Sequence, residues 1–501
     1  MGNLKFCVSD TVLIDPRVWQ TAYITGIEGV PWHCRHQLTS DQFIIGRELD
    51  ESGKVNIVWP TRSGGNLCMT TGSLRESLEP YGLAVEIARG TVGRLKNQTA
   101  EWQRIGMRLP EDFFPLAEHG MRSFLECLTR PSDLVYQEVL AQSAIDQSVQ
   151  ASTILCQAYS QQALASRKQA EGPLTTLLGV SLPQQDNLAA IGTSVIGSHL
   201  QQAFNLVSVR PDMGSVERDS GLSDFGLFDE QVEWAEQQNF KLGIGPLVDF
   251  RSERLPQWMI LLGEDYQSIL HAACEHAEQT VKRYRNRAQY WNCAAGLNSP
   301  NMMRWSDEEV LRMAVAVIST VRQSDSRTPV LLTIEQPWSE YLRDHPAGIS
   351  PLHFADALIR ADLGLSGLSL ELSFDLWPGG SLPRDLIEVS RLIDRWAMLG
   401  LPLLIHLSSP TQAADGTGLR VADWQISLHE DQAGFRGSQA FIPPDALVQL
   451  LISKPAVHAV IWDQLTDRYP VATSCSGIFD LRNRPKSLFQ SLTSVRGSYL
   501  I

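Results

Sequence analysis

After Gly172 the chain falls into a repeated cadence, a short apolar run followed by an amphipathic helical stretch, and this constrains the fold more than any other feature. Eight runs carry it: TTLLGVSL, NLVSV, FKLGIGPLVDF, AQYWNCAAGL, PVLLTIEQP, LSGLSLELSF, LPLLIHLSS and VHAVIWDQL. Between them lie FGLFDEQVEWAEQQ, YQSILHAACEHAEQTVKRY, SDEEVLRMAVAVISTVRQ and LPRDLIEVSRLIDRWAMLG, all with helical spacing. Strands covered by helices on both faces read as near-continuous apolar runs, as these do. Eight such units in the space available predict a closed α/β architecture, a (β/α)8 barrel. The rival, a doubly wound open sheet, wants a glycine-rich phosphate loop after its first strand, and none follows TTLLGVSL.

The first third has a different texture. Residues 1–85 carry short apolar or alternating runs (WQTAYITGI, QFIIGREL, KVNIVWP) broken by Gly, Pro, Asp and Asn, which predicts a small β-rich domain with ELDESGKV as a hairpin turn. Trp19, Trp32 and Trp59 there are either a sugar-stacking platform or core. Residues 86–172 turn helical. Val92, Leu95, Thr99 and Trp102 recur at helical spacing, LPEDFFPLAEHGMRSFLECL follows, and a Gln/Ala/Ser-rich helix is expected over about 133–169. This predicts a helical hairpin or bundle connecting to the barrel of residues 173–501.

Charge and punctuation narrow the partners. A net charge of −14 argues against nucleic acid or an anionic membrane, while an uncharged glycan is not repelled. No apolar stretch is long enough to span a bilayer and the N-terminus lacks a signal-peptide pattern, so a cytoplasmic location is expected. The eight cysteines include no C-x-x-C pair, and nothing else has metal-ligand or cofactor-motif spacing, so neither a metal nor a cofactor is expected. His271, Cys274 and His276 are taken as a solvated helix face, and Cys293 as a buried thiol. The oligomeric state is left open.

Several phrases, in order, resemble the family-10 glycoside hydrolases (endo-1,4-β-xylanase-like). FNLVSVRPDM resembles the family's F-N-x-V-T-x-E-N-x-M-K-W, FGLFDEQVEWAEQQ its next helix, GIGPLVDF its R-G-H-x-L-V-W-H strand and RLPQW its L-P-x-W. Near the end, VIWDQLTDRYP is similar to W-W-G-L-S-D-R-Y and GIFDLRNRPKSLFQSL to L-F-D-x-x-x-x-P-K-P-A-Y. The resemblance implies a (β/α)8 barrel that hydrolyses O-glycosyl bonds of a β-1,4-linked polysaccharide or oligosaccharide such as xylan. It also implies two catalytic Glu, in W-D-V-V-N-E on strand four and I-T-E-L-D on strand seven. Here those positions fall on Gly296 and Leu407, so what the chain resembles is a divergent member lacking both.

Other carboxylates are expected at the C-terminal strand ends, where barrels of this kind keep their chemistry. Glu335 and Glu371, on neighbouring strands, are the candidate catalytic pair, one as protonated acid and one as charged base or nucleophile. Arg210, Arg304, Arg343 and Arg384 are available should these acids serve only as structural ion-pair partners. Asp249, Trp338, Trp377, His406, Trp462, Asp463 and Asp467 are the candidate substrate-binding residues. The alternatives to a hydrolase are a catalytically silent carbohydrate-binding barrel and an intracellular scaffold.

Overall fold

A computed structural model describes residues 2–7, 16–39, 42–129, 133–184, 193–251, 254–263, 265–300, 303–374, 379–411, 419–421, 424–426, 442–468 and 476–501. Eight parallel strands close into a barrel, each hydrogen-bonded to its neighbour in sequence and the last to the first. They are β1 (Leu177–Ser181), β2 (Leu206–Val209), β3 (Lys241–Ile244), β4 (Tyr290–Asn292), β5 (Val330–Ile334), β6 (Gly367–Ser373), β7 (Leu403–Ser408) and β8 (Val457–Trp462). Each lies within one of the eight apolar runs. Two short strands, Val248–Asp249 and Ala294–Ala295, pair beyond β3 and β4 and extend the wall at the C-terminal end. Helices cover the outside. The helix Asp307–Ser324 begins in a reciprocal cap, with Ser306 and Glu309 each satisfying the other's backbone N–H.

Strand alternation divides the barrel into two cores. Leu206, Tyr290, Leu331, Leu404, Ala459 and Ile461 pack together as a small inner cluster, while Leu372, Ile405, Leu407 and Trp462 belong to the large outer core shared with the helices. Because side chains alternate faces along a strand, the inward series continues upward through Ser181, Arg210, Thr333, Glu335, Glu371, His406, Ser408 and Asp463. The lumen is therefore apolar at its base and polar at its C-terminal mouth. Gly243 is required in this packing, since a Cβ there would stand 2.2 Å from the Tyr290 hydroxyl.

The N-terminal residues build two four-stranded sheets, and the expected hairpin is absent. Gln42–Arg47 pairs with Gly2–Cys7 and Cys34–Leu38, whereas Lys54–Thr61 lies in the other sheet between Tyr23–Thr25 and Gly65–Thr70. ELDESGKV is thus a crossing between sheets. Gly53 in it pairs with Leu74 and packs so closely on Ile24 that a Cβ would sit 2.4 Å from that side chain. Trp19 and Trp59 are buried core residues, and Arg47 lies over the ring of Trp32, so the three form no exposed platform.

Three helices follow: α1 (Leu83–Arg104), α2 (Phe113–Cys127) and α3 (Leu134–Glu171), the last 38 residues long and capped by Asp133. α3 packs on the barrel helix Pro444–Ser453, and Arg167 donates to the Ile452 carbonyl. The sheets are also fastened directly to the barrel. Arg384 Nη2 donates to Glu340 Oε1 at 2.7 Å and to the Tyr23 hydroxyl, and the Cys68 amide donates to the Pro383 carbonyl at 2.7 Å. Arg384 and Glu340 are both fully enclosed, so each depends on the other for its charge partner. Among the described residues no helix is long and apolar enough to cross a membrane.

Candidate functional site

The C-terminal mouth is organised around Arg251, which the sequence reading passed over. It follows the short strand Val248–Asp249 and reaches three carboxylates. Its Nε donates to Asp249 at 2.9 Å, its Nη1 donates to both oxygens of Glu371 at 3.0 and 3.1 Å, and its Nε lies 3.6 Å from Glu335. Arg210 adds a longer contact to Asp249 at 3.8 Å. Glu335 and Glu371, from adjacent strands, therefore flank one guanidinium, and Asp249 completes the set.

The acids differ in environment. Burial pushes Asp249 upward, but Arg251, Arg210 and Arg254 overcome this and hold its carboxyl below the usual range. For Glu335 burial prevails over Arg251, with Glu371 and Asp249 adding to it, and its carboxyl is pushed up to about 7. Glu371 keeps some exposure and also accepts from the Ser373 hydroxyl at 3.0 Å.

Glu335 is held firmly. The Gly296 amide donates to Oε1 at 2.7 Å, and the Ser299 hydroxyl donates to Oε2. Asn298 bridges the Glu335 backbone, donating to its carbonyl at 2.9 Å and accepting from its N–H at 3.0 Å. Gly296 itself has φ +73°, and a Cβ there would lie 2.6 Å from the Arg251 amide, so a side chain does not fit. The carboxyl of Glu335, from the neighbouring strand, rests against the position where the family resemblance implies an acid/base residue.

On the strand next to Glu371, His406 Nδ1 lies 2.7 Å from Asp463, which also accepts from Ser181 at 3.0 Å. Burial raises the Asp463 carboxyl, but His406, Arg210 and Ser181 more than offset this and hold it low. Among the described residues, His406 Nε2 is buried without a hydrogen-bond partner. Leu407 faces the helices, so β7 presents His406 and Ser408 to the lumen. Leu407, which the family resemblance sets on the nucleophile position, lies in the core shared with the helices.

The remaining candidates separate. Trp462 is 1 % exposed, faces outward and donates from Nε1 to the Ser476 carbonyl at 2.8 Å, so it has no face for a sugar. Asp467 accepts from the Gly477 amide at 2.8 Å and pairs with Lys486 at 2.6 Å, which ties down the closing segment. Trp338 stacks on Arg384 at 4.3 Å and lines a cleft toward the N-terminal sheets. Trp377 lies outside the described residues.

Two of the other readings also resolve. His276 is buried rather than solvated. It contacts the Pro211 carbonyl at 3.0 Å, and burial lowers its pKa to about 4. Burial pushes the Cys293 thiol up to about 12, as suits an inert buried thiol. Among the described residues no group of three or more His, Cys, Asp or Glu is arranged to hold a metal ion. Of the basic residues expected as partners, Arg343 pairs with Asp344 and Arg384 with Glu340; only Arg210 reaches the mouth. Arg251 had no distinguishing signal beyond its place just after Asp249, because the turn that directs it inward is not visible in sequence.

No family model and no curated protein matches the chain. Among solved structures, the chain is similar over the barrel region to a GH10 xylanase of Thermobacillus composti, at 15% identity and TM-score 0.46, covering 64% of this chain and 96% of that one. Xylanase 10B of Thermotoga petrophila RKU-1, solved with xylobiose, aligns at 13% identity and TM-score 0.47 over 68% and 97%. Xylanase B of Clostridium stercorarium F9 aligns at 15% identity and TM-score 0.44 over 66% and 98%.

Proposed function

We propose that the barrel mouth acts on the glycosidic bond of a neutral β-1,4-linked glycan such as a xylo-oligosaccharide, with Glu335 as proton donor and Glu371 as the charged carboxylate. The observation that carries this is the unequal pair itself. One guanidinium holds a buried glutamic acid that titrates near neutrality beside a second carboxylate in an ion pair. A glycosidase needs that division, an acid to protonate the departing oxygen and a charged carboxylate to meet the developing positive charge at the anomeric carbon. Glu335 is the better donor because its site favours the protonated form near pH 7. Asp249 keeps Arg251 in place. The order-preserving resemblance to family-10 sequences supports the choice of a β-1,4 glycan.

The test is release of the leaving group from an aryl β-xyloside. Turnover by the intact protein, lost in Glu335→Gln and Glu371→Gln, supports the reading; turnover unchanged in both variants removes the pair. One observation favours a second reading, a barrel that holds a glycan without cleaving it: Arg251 satisfies both Glu371 oxygens, so that carboxylate is already committed. Calorimetry with xylo-oligosaccharides giving heat without any product selects this second reading.

A further inference from the structure

A cleft of about 610 Å³ lies between the N-terminal sheets, α1 and the barrel helix Leu386–Ala397. It is separate from the carboxylates of the barrel mouth. Six of its lining side chains are basic (Lys54, Arg89, Arg94, Arg384, Arg391 and Arg395) and two are acidic, Glu28 and Glu388. Behind the wall, Glu86 neutralises Arg89 and Glu340 neutralises Arg384. The buried Asp385 also faces Arg94, and the six basic groups still outnumber the acids around them, in a chain whose net charge is −14.

The surplus can be assigned to particular groups. Arg94 is spent on Glu388 at 3.1 Å and on the Thr70 carbonyl at 2.7 Å. Arg391 has only a 3.3 Å contact to that same Glu388, and half of its side chain is exposed. Arg395, one turn on and on the same helix face, donates to the Glu28 carbonyl. The Lys54 side chain makes no ion pair among the described residues and stands exposed at the start of its strand. The walls between these groups allow close approach. Gly93 has no heavy atom within 4 Å of where its Cβ would be, and Gly90 lets α1 press onto the strand Gly65–Thr70, where a Cβ would meet the Thr70 carbonyl at 2.1 Å. Trp338 forms part of the wall.

We infer that this cleft binds a small phosphate monoester, the phosphoryl group between Lys54, Arg391 and Arg395 and its organic part toward Trp338. A phosphoryl group carries about −1.5 to −2 charges near neutral pH, the sign that an excess of basic groups attracts. Guanidinium and ammonium groups are its usual donors. The cleft is much larger than a phosphate ion and falls within the range of small-molecule sites, roughly 300–1,000 Å³, so it takes an ester of sugar size. An acidic exterior with a positive interior also keeps other polyanions from settling on the surface while the cleft attracts a small one.

Calorimetry on the full chain at neutral pH, with glucose 6-phosphate, glucuronate, inorganic phosphate and glucose as probes, tests this. Glucose 6-phosphate should bind most tightly, its affinity should fall as salt is raised, and glucose should give no heat. Lys54→Ala/Arg391→Ala should weaken glucose 6-phosphate about tenfold without changing the melting temperature, because both side chains are exposed. If glucuronate binds as well as glucose 6-phosphate, the site is one for carboxylates and the phosphate assignment fails. Equal binding of glucose and glucose 6-phosphate, no heat at millimolar ligand, or a double variant within twofold of the parent overturns the inference altogether. Should the double variant not fold, salt-independent affinity in the parent has the same force.

Discussion

The barrel mouth and the cleft beneath the N-terminal sheets both collect arginines, and they use them in opposite ways. In the mouth, Arg251 is surrounded by Asp249, Glu335 and Glu371, so acids outnumber the base and the network closes on itself. In the cleft, basic groups outnumber acids, and two of them, Lys54 and Arg391, are exposed. Where acids crowd together out of water, the proton is held more tightly, and the Glu335 carboxyl is pushed up to about 7. Where bases are in excess and partly exposed, none is forced to change state, and the charge remains available to a ligand. The first arrangement suits the proton transfer proposed for the mouth, and the second suits the anion proposed for the cleft.

The comparison breaks most severely if Arg251 is removed. Arg251→Met takes from Glu335 and Glu371 the cation they share, while Arg210 and Arg254 remain beside Asp249, and should cost about 3–5 kcal/mol, read as a lowered denaturant midpoint. A loss below about 1 kcal/mol would mean the acids do not rely on it. Glu335→Gln should come next, lowering aryl β-xyloside turnover by about a hundredfold while leaving the fold intact.

The pH dependence follows from the same residue. The Glu335 carboxyl is raised in the folded state, so its contribution to stability is complete below the unfolded value near 4.5 and is lost as pH rises toward about 7. Urea midpoints should therefore fall across that window in the parent, and this component should be missing in Glu335→Gln. Turnover that needs the protonated acid should decline above about pH 7. The smallest effect is expected in the cleft, where Lys54→Ala/Arg391→Ala should change ligand affinity about tenfold and stability hardly at all. A large loss of stability in that variant would show that those charges are structural, as they are in the mouth.

How much of this was legible in sequence depends on the range of the interactions. The eight strands were readable because each is a local apolar run, and α3 because thirty-odd residues keep one composition. The hairpin at ELDESGKV was misread because turn residues do not say which strand a chain pairs with after turning. Glu335 and Glu371 were found from their strand-end positions, but their shared guanidinium comes from a residue 84 positions before Glu335 and 120 before Glu371. Leu407 shows a different limit: along a strand, residues face the lumen and the helices in turn, and an unbroken apolar run does not say which is which. Trp462 was misjudged for the same reason.

The buried pairing of Arg384 with Glu340 and Tyr23 has a consequence for handling this molecule. The barrel cannot be trimmed from its N-terminal part as a finished module. A fragment beginning near residue 173 would lack the Tyr23 hydroxyl and the Cys68 amide, and would open to water a guanidinium–carboxylate pair now shut away from it. It would also uncover the apolar side of the helix Leu386–Ala397. Such a fragment should be recovered from cells mainly as aggregate, and a protease should find few places to cut between the two parts of the intact chain.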